Sequence, residues 1–143
     1  MGMFDMLDVS ASGMTAQRFR LDVISNNIAN VNTTRSSEGG PYRRERVVFQ
    51  EKREKKTFSD YLKNSKPAGV RVASIQKDDA PFKTVYDPTH PDADAEGYVR
   101  YPNVNIVTEM VDMISALRSY EANATAIDAA KSMMSKALEI SRS

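Results

Sequence analysis

PNVNIVTEMVDMISALRSYEANATAIDAAKSMMSKALEISRS (102–143) contains no proline after Pro102 and no glycine, and the fold turns on how it is read. Steps of three and four from Met110 reach Met110, Met113, Leu117, Tyr120, Ala124, Ile127, Lys131, Met134, Leu138 and Ser141, of which eight of ten are apolar or alanine. That spacing is a helix laying one seam against a partner. Pro102 followed by Asn103 and Asn105 marks the start, with asparagine as the cap. A helix of about 37 residues would be about 55 Å long. A compact chain of 143 residues is only about 35–40 Å across. The helix must therefore protrude, and its seam needs a cover.

The cover available within the chain is the N-terminal stretch. From Met3 the same steps give Met3, Leu7, Ser10, Met14, Gln17, Leu21, Ile24, Ile28 and Val31, seven of nine apolar. SASG (10–13) interrupts it with small, weak helix formers, so the helix begins late, bends there or packs very closely. Asn26, Asn27, Asn30 and Asn32 gather at its end. They read either as a frayed C-terminal cap or as amides that bond across packed helices and set register.

All six prolines lie between 41 and 102, which confines long helices to the ends. YRRERVVFQ (42–50) and GVRVASI (69–75) are rich in β-branched and aromatic residues and read as strands. Between them lies a charged stretch, and DDAPFKTVYDPTHPDADAEGYVRYPN (78–103) reads as extended and turn-punctuated. The expected fold is mainly α. Long N- and C-terminal helices (1–34 and 103–143) pair as a coiled-coil-like hairpin around a small β-rich insert (35–102).

Composition excludes much chemistry. With no cysteine and one histidine there is no thiolate nucleophile, zinc-cysteine site or multi-histidine centre. There is no phosphate loop and no acid/base pair built on histidine, so the chain reads as a non-enzyme without cofactor or catalytic residues. DADAEG (92–97) imitates the opening of a calcium loop, but Asn103 stands where the bidentate glutamate belongs. His90 among Asp87, Asp92 and Asp94 reads as a turn residue rather than a metal ligand. No basic leader opens the chain, and no window is long and apolar enough for a membrane span.

Net charge is +1, yet residues 41–77 carry 11 basic against 4 acidic groups and residues 78–103 carry 2 against 6. RRERVVFQEKREKK (43–56) could hold an acidic partner as a monomeric interaction module. Its interspersed glutamates argue against nucleic acid and for a solvated edge strand.

SASGMTAQRFRLDVISNNIANVNTT (10–34) resembles the N-terminal signature of the axial proteins of the bacterial flagellum, the basal-body rod, hook and hook-associated family. VYDPTHPDADAEGYVRYPNVNIVTEMVDMISALRSYEANATAIDAAKSMMSKALEI (85–140) and GGPYRRERVVFQ (39–50) are similar to its proximal-rod members. Arg35 and Ser36 follow Thr34 where other members commonly carry a Gly-aromatic pair, a departure that also looks like the proximal-rod subgroup. The resemblance implies a structural subunit that assembles with copies of itself and other flagellar rod proteins into a hollow, periplasm-spanning drive shaft transmitting torque to the hook. It implies exit from the cytoplasm through the flagellar type III export apparatus, with no nucleic acid and no membrane insertion. Leu7, Met14, Leu21, Ile24 and Ile28 would then pack on Met110, Leu117, Ile127, Met134 and Leu138. Met113, Tyr120, Asn26, Asn27 and Asn30 complete the expected packing and assembly set.

Overall fold

Asn105 starts the longest element. In the computed structural model of the chain, which describes residues 3–37, 39–52 and 69–142, its Oδ1 accepts from the amides of Val107 (3.0 Å) and Thr108 (3.3 Å). Two of the orphan donors of a helix start are thereby satisfied. Two long helices frame the chain, α1 (Met3–Ala29) and α2 (Ile106–Arg142). Between them lie β1 (Glu45–Glu51), β2 (Val70–Lys77), β3 (Lys83–Tyr86) and β4 (Tyr98–Tyr101). β1 pairs antiparallel with β2, from Glu45 opposite Lys77 to Glu51 opposite Val70, with a register shift between Val48 and Phe49. β3 pairs antiparallel with β4. This second pair lies in the stretch that the prolines had marked only as extended. The charged segment 53–68 lies outside the described residues.

Along α1 and α2, Asn27 meets Glu109, Arg20 meets Asp112 and Gly13 meets Asn123, so the two helices run in opposite directions. The SASG interruption resolves as close packing within an unbroken helix. Ser10 and Ala16 are buried, and a Cβ on Gly13 would stand 3.0 Å from the Asn123 amide. Small residues let the backbones approach, and the dispersion gained over that length offsets their low helix propensity.

On α1, Ile24 is buried and Leu7, Met14, Leu21 and Ile28 are half-buried, as the spacing predicts. On α2 the seam needs correction. Its innermost positions are Glu109, Ala116 and Ala130, flanked by half-buried Met113, Tyr120, Ile127 and Met134. Met110, Leu117 and Leu138, expected to pack inside the subunit, are exposed. Each residue turns a helix by about 100°, so a seam one residue away from Met110 and Leu117 leaves both facing outward. Counting hydrophobicity favours Met and Leu over Ala, whereas close approach favours Ala. Leu138 is exposed for another reason. Gly13 sits level with Asn123, so Met3 comes level with the region of Met133, and the last turns of α2 extend past the start of α1.

The first hairpin docks on α1 through Ser12, whose Oγ donates to the Val9 carbonyl (2.7 Å) and accepts from the Val70 amide (3.1 Å). Gly69 makes this approach possible. Its φ is +94°, and a Cβ there would overlap the Ser12 hydroxyl. Gly69→Ala combines an unfavourable backbone conformation with that overlap, and should destabilise the protein by about 2–3 kcal/mol in urea unfolding. Gly13→Ala, at ordinary helical angles and against a movable side chain, should change it by less than about 1 kcal/mol.

Candidate functional site

Where α1, α2 and β1 meet, the interior is polar. Asn27 is 1% exposed and Glu109 0%. The Asn27 amide does the work of a strand neighbour for Glu45: its Oδ1 accepts from the Glu45 amide (3.0 Å) and its Nδ2 donates to the Glu45 carbonyl (2.8 Å). Oδ1 accepts a second bond from the Tyr42 hydroxyl (2.9 Å), and Nδ2 donates its other hydrogen to Glu109 Oε2 (3.0 Å). All four hydrogen-bonding positions of one side chain are thus filled. Burial, with the nearby Glu45 and Glu109 carboxylates, pushes the Tyr42 phenol up to about 12.

Glu109 receives its charge compensation from Arg44, whose Nε lies 2.6 Å from Oε1. The same guanidinium reaches Asp78 (3.4 Å) and Asp112 (3.3 Å), and Asp112 in turn holds Arg20 of α1 (2.9 Å). Burial alone would work against the Arg44 charge. The bond to Glu109 and the neighbouring carboxylates outweigh it and raise the pKa above the ordinary arginine value. Asn103 joins the ends of the network: its Oδ1 accepts from the Arg44 amide (2.8 Å), and its Nδ2 donates to the carbonyls of Asp78 and Ala80 (both 3.0 Å). The result is one connected joint from Arg20 through Asp112, Arg44 and Glu109 to Asn27 and Tyr42. It fastens both helices to the root of the first hairpin.

Asp78 is held below the usual carboxylate range, first by the bond from the Ala80 amide, with Arg46 and Arg44 adding to it against the cost of burial. A carboxyl depressed on folding stabilises the protein at pH values above its unfolded pKa of about 3.9, and that contribution is lost as pH falls through the lower folded value. In a stability–pH profile, Asp78→Asn should flatten the acid limb and leave its shape above about pH 6 unchanged.

The asparagine cluster divides by role. Asn27 is the buried amide reaching across helices. Asn30 caps α1, its Nδ2 donating to the Asn26 carbonyl (2.9 Å) and its Oδ1 accepting from Thr33 Oγ1 (3.2 Å), while Asn26 is exposed. Sequence spacing missed Glu109, Arg44, Asp112 and Arg20. No spacing signal marked them, because the side of α2 that turns inward is set by what α1 and the segment before β1 bring to it.

Among the described cations of the basic run, Arg43, Arg44 and Arg46 have partners within the chain, while Lys52 is exposed. Arg44 is in the joint, Arg43 donates to the Asp78 carbonyl (2.9 Å) and lies 4.4 Å from the Phe82 ring centre, and Arg46 approaches Asp78 (3.7 Å). The acidic-partner reading therefore loses Arg44 to the interior and shares Arg43 and Arg46 with internal partners, and Arg53, Lys55 and Lys56 lie outside the described residues. In the 87–98 loop the acids cap turns: Asp87 accepts from Thr89, Asp94 from the Glu96 and Tyr98 amides, and Asp92 from Thr34 Oγ1 (2.7 Å). Among the described residues no group of three or more His, Asp or Glu is placed to hold a metal ion. No helix among them is long and apolar enough to cross a membrane.

Two family models match the chain at its ends, "Flagella basal body rod protein" over residues 7–35 and "Flagellar basal body rod FlgEFG protein C-terminal" over residues 95–140. The flagellar basal-body rod protein FlgC of Borreliella burgdorferi is 54% identical, the match covering 98% of each chain. The chain belongs to the FlgC family of flagellar basal-body rod proteins. FlgC of Bacillus subtilis is 51% identical over 97% of this chain, and that of Salmonella typhimurium 41% over 98%. The rod protein is a structural subunit of the flagellar basal body and not an enzyme. The joint is a set of mutually paired charges, Glu109 fully buried and Arg44, Asp78, Asp112 and Arg20 partly so.

Proposed function

We propose that this rod protein assembles with copies of itself and with other axial proteins into the hollow proximal rod, after export through the flagellar type III apparatus. In this reading residues 1–34 and 103–143 form a coiled-coil-like terminal domain, and 35–102 form the insert that the polar joint holds at a fixed angle to it. Torque then passes through many packed contacts in series, and the joint keeps the insert from swinging under load.

One observation carries the reading. Val107, Met110, Val111, Ile114 and Leu117 form an exposed apolar stripe on the side of α2 opposite its buried seam. A helix that is apolar on two opposite faces is one built to be covered on both. Beyond Leu117 the same outer side turns polar, with Arg118, Glu121, Thr125, Asp128, Ser132 and Lys136 all exposed. Leu117→Asp should therefore leave the unfolding free energy within about 0.5 kcal/mol of the parent while abolishing rods and motility. Ile24→Asp, at a buried position, should cost several kcal/mol, roughly 3–5, and fail earlier. Motile cells with normal basal bodies carrying Leu117→Asp would refute the outward stripe as an assembly surface.

A further inference from the structure

α2 carries two lines of residues spaced to lie against α1, and the two share an edge. That edge is Met113, Tyr120, Ile127 and Met134, all half-buried. On one side of it run Glu109, Ala116, Asn123 and Ala130, and on the other Met110, Leu117, Ala124 and Lys131. The first line is the one turned inward: Glu109, Ala116 and Ala130 are buried, while Met110 is 52% and Leu117 47% exposed. Apolar burial near the start of α2 favours the second line, because Met and Leu remove more apolar surface from water than Glu and Ala. Neighbouring residues stand about 100° apart around a helix, so moving the centre of the seam from one line to the other takes a turn of about 50°.

The groups that oppose this turn lie outside α2. Asn27 and Arg44 both donate to Glu109, and Arg20 holds Asp112. Asn27 is itself fixed to both backbone groups of Glu45, and the Arg44 amide to Asn103, so neither donor is free to follow a turning helix. Farther along the seam, Asn123 donates to the Ser119 carbonyl of its own helix (2.8 Å), and Gln17 Oε1 is buried without a hydrogen-bond partner. We infer that the joint selects between two packings of one helix pair: it draws Glu109 inside and thereby keeps Met110 and Leu117 outside. A buried charge pair adds little net stability against an apolar replacement, yet it heavily penalises any arrangement that separates the partners. Choice of one packing over another is what such a pair supplies, as a buried asparagine does in a coiled coil. The use of the outward stripe in assembly rests on the reading above, whereas the choice of face is a property of the single subunit.

The chain has no cysteine, so a single introduced thiol reports one position. Leu117→Cys and Ala116→Cys would each be made in the full-length parent and in Asn27→Leu/Arg44→Leu, which leaves α2 unaltered but strips Glu109 of both donors. With a small maleimide on the isolated subunit, Leu117→Cys should react at least about tenfold faster than Ala116→Cys in the parent, following exposure. The order should reverse in the double variant, where α2 turns to carry Glu109 into water. Glu109→Lys, which sets a second cation beside Arg44, should reverse it too, and the order is read from whichever of the two variants folds. Persistence of the parent order in a folded variant overturns the selector. So does loss of the helix pair in both, because α2 would then have no second face to turn to. Neither result touches the assembly reading, which falls separately if Leu117→Asp leaves motility and basal bodies normal.

Discussion

Glu109→Ala should lower the unfolding free energy of this rod protein by about 3–5 kcal/mol. The carboxylate is 0% exposed and accepts from Arg44 Nε at 2.6 Å and from Asn27 Nδ2 at 3.0 Å. Its removal leaves a largely buried guanidinium short of a partner and one amide hydrogen without an acceptor. Arg44→Ala should cost a similar amount. The double variant should cost less than the sum of the two, with a coupling of about 1–3 kcal/mol, because each single change already strands the other partner. Urea unfolding of the four proteins measures this directly. A single-variant cost below about 1 kcal/mol would mean that the joint contributes little to holding the fold together.

Asn27→Asp tests the same joint from its other side and should be nearly as damaging at neutral pH, by about 3–5 kcal/mol. The change keeps the shape of the side chain. It puts an acceptor where Nδ2 now donates to the Glu45 carbonyl (2.8 Å) and to Glu109 Oε2 (3.0 Å), and it adds a negative charge beside that carboxylate. Desolvation and the like charge both raise the folded-state pKa of the new carboxyl above its unfolded value of about 3.9. The folded variant therefore prefers the proton more strongly than the unfolded chain does. The penalty is smallest below about pH 4 and grows as pH rises through the raised folded value. Asn27→Leu loses the same bonds without a titrating group, so its cost should stay level with pH. Parallel pH profiles for Asn27→Asp and Asn27→Leu, each taken relative to the parent, would contradict this electrostatic account.

The two helical ends were legible because a proline-free stretch with apolar residues every three or four positions has few other ways to bury them. The proline-rich middle announced strands and turns for the opposite reason, although only β1 and β2 showed the β-branched density that marks a strand in advance. What spacing could not show was the rotation of α2. Met110 and Leu117 carry more apolar surface than Ala116, yet Ala116 is the residue that is fully buried, on the same side of α2 as Glu109, whose carboxylate meets Asn27 of α1. For the same reason Glu109 escaped notice. A charged residue is expected outside, and only the arrival of Arg44, just before β1, and of Asn27 from α1 makes its complete burial tolerable.

The sequence by itself therefore determined which segments are helices, and that neither cysteine nor a second histidine is there to build a site. Those properties depend on residue type and on spacing along one chain. Tertiary structure alone decided which face of α2 turns inward, which asparagine of NNIAN is buried, and which arginine of the basic run is held inside. Each of those depends on what a second or third element brings to the same few ångströms, where close packing and paired charge outweigh the preference of any single residue.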